Sequence, residues 1–118
     1  MDKKDLYQRI FDIVKQIPAG KVTTYGHIAR AIGVGMSARM VGWALNSLAF
    51  KNIEIPAHRV VNRLGLLTGK RYFPTPEYMR ERLESEGVTF VGEAVDLDKH
   101  LWIPKICTDE GKFSFKKE

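Results

Sequence analysis

"VTTYGHIARAIGVGMSARMVGWAL", residues 22–45, decides how this chain folds. Thr23 or Thr24 is placed to cap a short helix, Ile28, Ala29 and Ile32 share its inward face, and Gly33 ends it. "VGM" is a tight turn. Ser37 then caps a further helix over roughly residues 38–49, with Met40, Val41, Ala44, Leu45 and Leu48 turned inward. Two helices on a short glycine-containing turn form the helix-turn-helix signature, although many helical hairpins bind nothing.

On the N-terminal side, Leu6, Ile10, Ile13, Val14 and Ile17 recur at helical spacing, and "PAGK" (18–21) ends that helix. On the C-terminal side, residues 53–68 hold "IEI", "RVV" and "LGLL" around Gly65 and predict short strands or a small wing. "TPEYMRERLESEG" predicts a helix capped by Thr75, with Pro76 at its first position, Glu77 in the first turn and Gly87 at its end. "VTF" (88–90) is a candidate strand. The expected fold is mostly α with a small β hairpin or wing, a winged helix-turn-helix. One domain over 1–104 and a loosely ordered polar tail over 105–118 are expected.

The 118 residues suit one small domain with one core. At 44% hydrophobic the chain has enough apolar residues for a globular fold, yet no apolar run approaches the ~20 residues of a membrane span. The start "MDKKDLYQRI" lacks the apolar stretch of a signal peptide. A single cysteine, Cys107, can form no internal disulfide, sits in a polar tail as a bystander thiol, and points to a reducing cytoplasm. No pair of histidines has metal spacing, and no cofactor is expected.

Charge is unevenly placed. Residues 20–72 hold eight lysines and arginines against one acid, Glu54, a net +7, whereas residues 73–118 carry −3. The whole chain is +5. Such a basic middle segment fits a polyanionic partner, and a merely basic surface is the competing reading.

Within that segment, Arg39 falls in the first turn of its helix, where a cation is mildly unfavourable. It indicates an anion nearby or a reach into a groove, set against an ordinary solvated arginine. Gly42 costs about 1 kcal/mol relative to alanine in a helix interior, and a close approach by a neighbouring element or by DNA would explain it. Tyr25 and Gly26 open a helix whose N–H groups suit phosphate, although a tyrosine in that place more often packs than functions. His27 is expected on the surface and His100 has no recognisable context. Trp43 and Trp102 are expected in the core or partly buried.

Together, "GKVTTYGHIARAIG", "SARMVGWAL" and "IPAHRVV" resemble the DNA-binding domain of the O6-alkylguanine–DNA alkyltransferases over about Leu6 to Trp102. The alkyltransferase C-terminal-domain type of fold is what the resemblance implies. The family signature is Pro-Cys-His-Arg followed by Val, and the cysteine takes the alkyl group. Here Ala57 stands in that place, as in the alkyltransferase-like proteins. By the same resemblance Tyr25 crowds a phosphate and helps rotate the nucleotide. Arg39 is the finger that enters through the minor groove, and Gly42 lets its helix lie close to the DNA, beside Thr24, Gly26 and Ser37. His58 and Glu86 match the pair that would activate the cysteine, and Arg59 braces the site. The lesion pocket is expected to gather Ala57, His58, Arg59, Val60, Lys70, Arg71 and Glu86.

The implied function is non-enzymatic. The protein would bind duplex DNA containing O6-alkylguanine and extrude the damaged base, at a cost of a few kcal/mol. Alanine offers no lone pair for attack, so the lesion would be held as a marker for nucleotide-excision repair proteins. A monomer, cytoplasmic and nucleoid-associated, without a membrane role, is expected.

Three departures from the family stand out. The separate N-terminal domain of many active members has no counterpart. "TGKRYFPTPEYM" replaces a glycine pair in the lid, and the asparagine that supports the family histidine has none in register, since Asn46 and Asn52 are both displaced. Two alternatives compete. One is an active alkyltransferase, working through Cys107 or carrying an engineered Cys-to-Ala change at position 57. The other is a winged-helix transcription regulator, which would leave "PAHRVV" without a role.

Overall fold

The computed structural model of the protein describes residues 3–33, 35–48, 54–70 and 73–105. Asn52, Arg71, Cys107, the side chain of Leu48 and the tail after Lys105 lie outside the described residues.

Helix α1 spans Lys3–Gln16, with Ile10, Ile13 and Val14 buried on one stripe and Ile17 buried just beyond it. Strand β1 (Thr23–Thr24) leads directly into α2 (Tyr25–Ile32). Thr24 rather than Thr23 is the cap, its side-chain oxygen accepting the His27 N–H at 3.0 Å. Ile28, Ala29 and Ala31 are buried, and Ile32 packs partly buried against the same cluster. Gly33 closes α2 at φ 123°, a left-handed conformation that suits glycine. Its N–H donates to the Ala29 carbonyl at 3.0 Å. Ser37 caps α3 (Ala38–Leu48), accepting the Met40 N–H at 3.2 Å. Helix-turn-helix is thus the observed arrangement of residues 25–48.

Beyond α3 the described chain makes a 3₁₀ turn over Ala57–Arg59 and strand β2 (Val60–Val61). β2 pairs in parallel with β1, Thr23 opposite Val60 and Thr24 opposite Val61. The wing expected over 53–68 is therefore no hairpin. A parallel pair cannot close through a tight turn, and Asn62 coils the next residues instead, its Oδ1 accepting the N–H groups of Leu64 and Leu66 at 2.9 Å each. The hairpin lies later, β3 (Phe90–Val91) against β4 (Ala94–Val95).

Helix α4 is Tyr78–Ser85, so Thr75 and Pro76 fall in the preceding turn and neither caps nor opens it. Glu77 occupies the cap position without a side-chain bond. A short α5 (Leu97–His100) follows the hairpin. The chain then returns to β1, where the Trp102 N–H donates to the Val22 carbonyl at 2.7 Å.

The apolar interior falls into two clusters rather than one. Ile10, Val14, Ile17, Ile28, Val41, Ala44 and Val60 form the helical cluster. Val22, Val61, Leu83, Val88 and Val95 form the second, under α4 and the hairpin. Val60 and Val61 are chain neighbours serving opposite clusters, because successive strand residues point to opposite faces. The β1–β2 pair is thus the partition between them, and it fixes the segment that precedes it, Ala57–Arg59.

Two side chains depart from their sequence readings. Trp43 is 58% exposed rather than buried. His100 has a definite context. Its Nε2 accepts the Thr89 N–H at 3.0 Å, while Nδ1 lies 3.0 Å from the Gly20 carbonyl and so carries the proton. It clasps the hairpin to the segment before β1.

Candidate nucleic-acid interface and lesion pocket

Most of the residues expected in the pocket gather around one carboxylate. Glu86 sits at the C-terminal cap of α4, opposite the 3₁₀ turn. Its Oε2 lies 2.9 Å from Nε2 of His58 and accepts from Arg59 Nη2 at 2.7 Å, while Oε1 accepts from Arg59 Nε at 2.9 Å. This is a bidentate guanidinium–carboxylate fork, which adds directionality to charge. The third arm of Arg59 goes elsewhere, Nη1 donating to the Ile17 carbonyl at 2.8 Å. Arg59 therefore ties the end of the first helical segment to the end of α4, a brace that sequence alone left without named partners.

Burial and pairing set the charges. Burial by itself would raise the Glu86 carboxyl, but hydrogen bonds from Arg59 and His58, with their charges, hold it at about 2. Burial pushes His58 below its ordinary 6.5 and outweighs the opposing pull of Glu86. At neutral pH the pair is an ionised carboxylate and a neutral imidazole. The short bond to Glu86 then places the proton on Nε2, leaving Nδ1 with its lone pair. Ala57 precedes this assembly in the same turn, half-buried against the helical cluster, and Val60 follows it fully buried. Ala57, His58, Arg59, Val60 and Glu86 are thus brought together.

Lys70 is placed differently. It is exposed and borders an open cleft of about 720 Å³ between the loop at Leu66–Lys70 and α4. Glu77, Glu81, Glu84 and Glu93 also line that cleft, and none of Ala57, His58, Arg59 or Glu86 does. Asn46 makes none of the hydrogen bonds given for His58 among the described residues, and its Oδ1 is buried without a partner among them.

The helix-turn-helix face carries the remaining residues. Thr24 is buried in the cap of α2, and its hydroxyl lies 2.6 Å from Nδ1 of His27. The same hydroxyl oxygen accepts the His27 N–H, so Thr24 holds both the backbone and the ring of His27. Burial, then the charge of Arg30, lowers the His27 pKa. His27 is half-buried rather than a plain surface residue. Tyr25 is half-buried and packs against the helical cluster. Its hydroxyl reaches the lid loop, where a Cβ at Gly69 would lie only 3.1 Å from it. Gly69 was not among the sequence candidates, and a lone glycine beside Lys70 was its only signal.

Along α3, Ser37 and Arg39 are exposed and Gly42 is half-buried. Nothing lies within 4 Å of a Cβ built at Gly42, so no neighbouring element of the described chain requires a glycine there. Neither α2 nor α3 has an acid in its first turn. The described residues hold no cluster of three metal-ligating side chains and no helix long and apolar enough to cross a membrane.

Comparison with known proteins identifies the family. Residues 5–88 match the family described as 6-O-methylguanine DNA methyltransferase, DNA binding domain. Alkyltransferase-like protein 1 of Schizosaccharomyces pombe is 37% identical over 109 residues, covering 88% of this chain and 100% of that protein. The DNA base-flipping protein of Escherichia coli K12 is 42% identical over 106 residues, covering 86% of this chain and 78% of that one. The fold is similar to the crystal structure of S. pombe Atl1 in complex with damaged DNA containing O6-carboxymethylguanine, with TM-score 0.70, 38% identity and coverage of 88% of this chain and 100% of that one. With a winged helix-turn-helix beside a His58–Glu86–Arg59 centre, a family match over residues 5–88 and the S. pombe relative matched over its entire length, this chain belongs to the 6-O-methylguanine DNA methyltransferase DNA-binding-domain family, in its alkyltransferase-like branch.

Proposed function

We propose that this protein recognises O6-alkylguanine in duplex DNA without removing the alkyl group. The observation that carries this reading is the state of the reactive turn. His58, buried, and Glu86 and Arg59, half-buried, are held together by short hydrogen bonds, and the residue beside them is Ala57. Nucleophilic transfer needs an atom with a lone pair at that position, and a methyl group has none. The absence of a thiol also leaves space for a larger alkyl group. Arg39, exposed at the start of α3, fills the gap left by the extruded base, and the basic segment supplies salt-sensitive affinity for phosphate. The bound lesion would then serve as a marker for nucleotide-excision repair proteins.

The test compares a fluorescent duplex with and without one O6-methylguanine, at fixed salt, for the wild-type chain and Arg39→Ala. The expected result is tighter binding to the damaged duplex, a preference reduced in the variant, and no methyl label on the protein. Equal affinity for the two duplexes would leave a general DNA binder. Label on the protein would make it an alkyltransferase.

A further inference from the structure

The most exposed aromatic side chain in the described structure is Trp43, midway along α3. Its helix buries Val41, Ala44 and Leu45 on the opposite side. Single exposed apolar residues are ordinary, but this one has two neighbours that give it a setting. Arg39 lies four residues earlier, on the same outward stripe of the helix. Gly42 lies between them in sequence, with open space where its side chain would be. The strip therefore presents a cation, a place where a surface can approach the helix backbone, and a flat ring.

We propose that Trp43 is a second DNA-contacting side chain of α3, its ring packing on the sugar wall of the minor groove beside the site of base extrusion. The inference rests on the reading that the helix-turn-helix face meets duplex DNA. Three features favour DNA over a protein as the occupant. Residues 20–72 are net +7 with Glu54 their only acid, a charge that repels basic surfaces and attracts phosphate. The open flank at Gly42 suits the close approach of a groove wall. Four helical residues rise about 6 Å, so Trp43 meets the duplex roughly two base-pair steps of 3.4 Å from Arg39. Apolar side chains that support locally unstacked, bent DNA are a recurring device of minor-groove binding.

The chain has two tryptophans, Trp43 and the half-buried Trp102, so Trp43→Phe isolates the second. Acrylamide quenching of tryptophan fluorescence is measured with and without saturating duplex, saturation being shown independently by anisotropy of a labelled duplex. The quencher-accessible fraction is expected to fall on DNA binding in the wild-type protein and to stay constant in Trp43→Phe. Trp43→Ala is expected to weaken DNA binding by about tenfold, within the range of aromatic–nucleotide contacts. Unchanged accessibility at full saturation would overturn the inference even if lesion preference is intact. Protection of Trp43 by damaged and undamaged duplexes bound equally well would sustain it while removing the lesion-sensing function.

Discussion

Replacing Glu86 by glutamine tests whether the pocket is a built electrostatic unit or a chance contact. The substitution keeps the shape of the side chain and removes the charge that Arg59 grips from two nitrogens. The Glu86 carboxyl moves from an ordinary 4.5 to about 2 on folding. At about 1.4 kcal/mol per tenfold change in proton affinity, that displacement contributes roughly 3 kcal/mol to stability at neutral pH. Breaking a buried ion pair by removing one partner costs a similar ~3–5 kcal/mol. For a domain of this size such a loss lowers Tm by about 15 °C. Because the folded pKa is depressed, the contribution is present above the unfolded value and is lost as pH falls. More than half of it, about 2 kcal/mol, is gone by pH 3. His58 adds to the same trend at higher pH. Its folded pKa lies below 6.5, so the unfolded chain takes up a proton first as pH falls through that value, and stability drops. Urea unfolding of wild type and Glu86→Gln at pH 7, 5 and 3 reads both effects. The gap between the two proteins should be widest at pH 7 and shrink towards pH 3. A gap below about 1 kcal/mol at pH 7, or one that ignores pH, would refute the argument that this carboxylate holds the site together.

Gly42→Ala should raise stability by about 1 kcal/mol, since its Cβ meets nothing within 4 Å, yet weaken DNA binding; denaturant unfolding and duplex titration measure the two effects. Gly65→Ala should do the reverse of the first effect. Its φ is +85° and a Cβ there would lie 2.7 Å from the Val95 carbonyl, so a loss of roughly 3 kcal/mol is expected in the same unfolding assay. Thr24→Val removes the side-chain acceptor of the His27 N–H and should cost about 1 kcal/mol in the same unfolding assay.

What the sequence determined by itself was local. The helix-turn-helix follows from apolar spacing, from Ser37 and a threonine as caps, and from Gly33, all of which act within a few residues. The resemblance of "PAHR" to the family signature singled out the Ala57–Arg59 turn, and the structure sets that turn against Glu86. Contacts between distant segments cannot be read from spacing or composition: His58 and Glu86, paired only by the family resemblance, are 28 positions apart, and the docking of α4 against the 3₁₀ turn makes them partners. Arg59 reaches 42 positions back to Ile17 for the same reason. The wing was misplaced because two-residue strands carry no periodicity, and whether "RVV" pairs with a near neighbour or with β1 depends on which buried faces meet. Trp43 was expected in the core or partly buried; Val41, Ala44 and Leu45 turn inward as their spacing predicted, and their docking against α1 and α2 leaves Trp43 on the opposite face, 58% exposed.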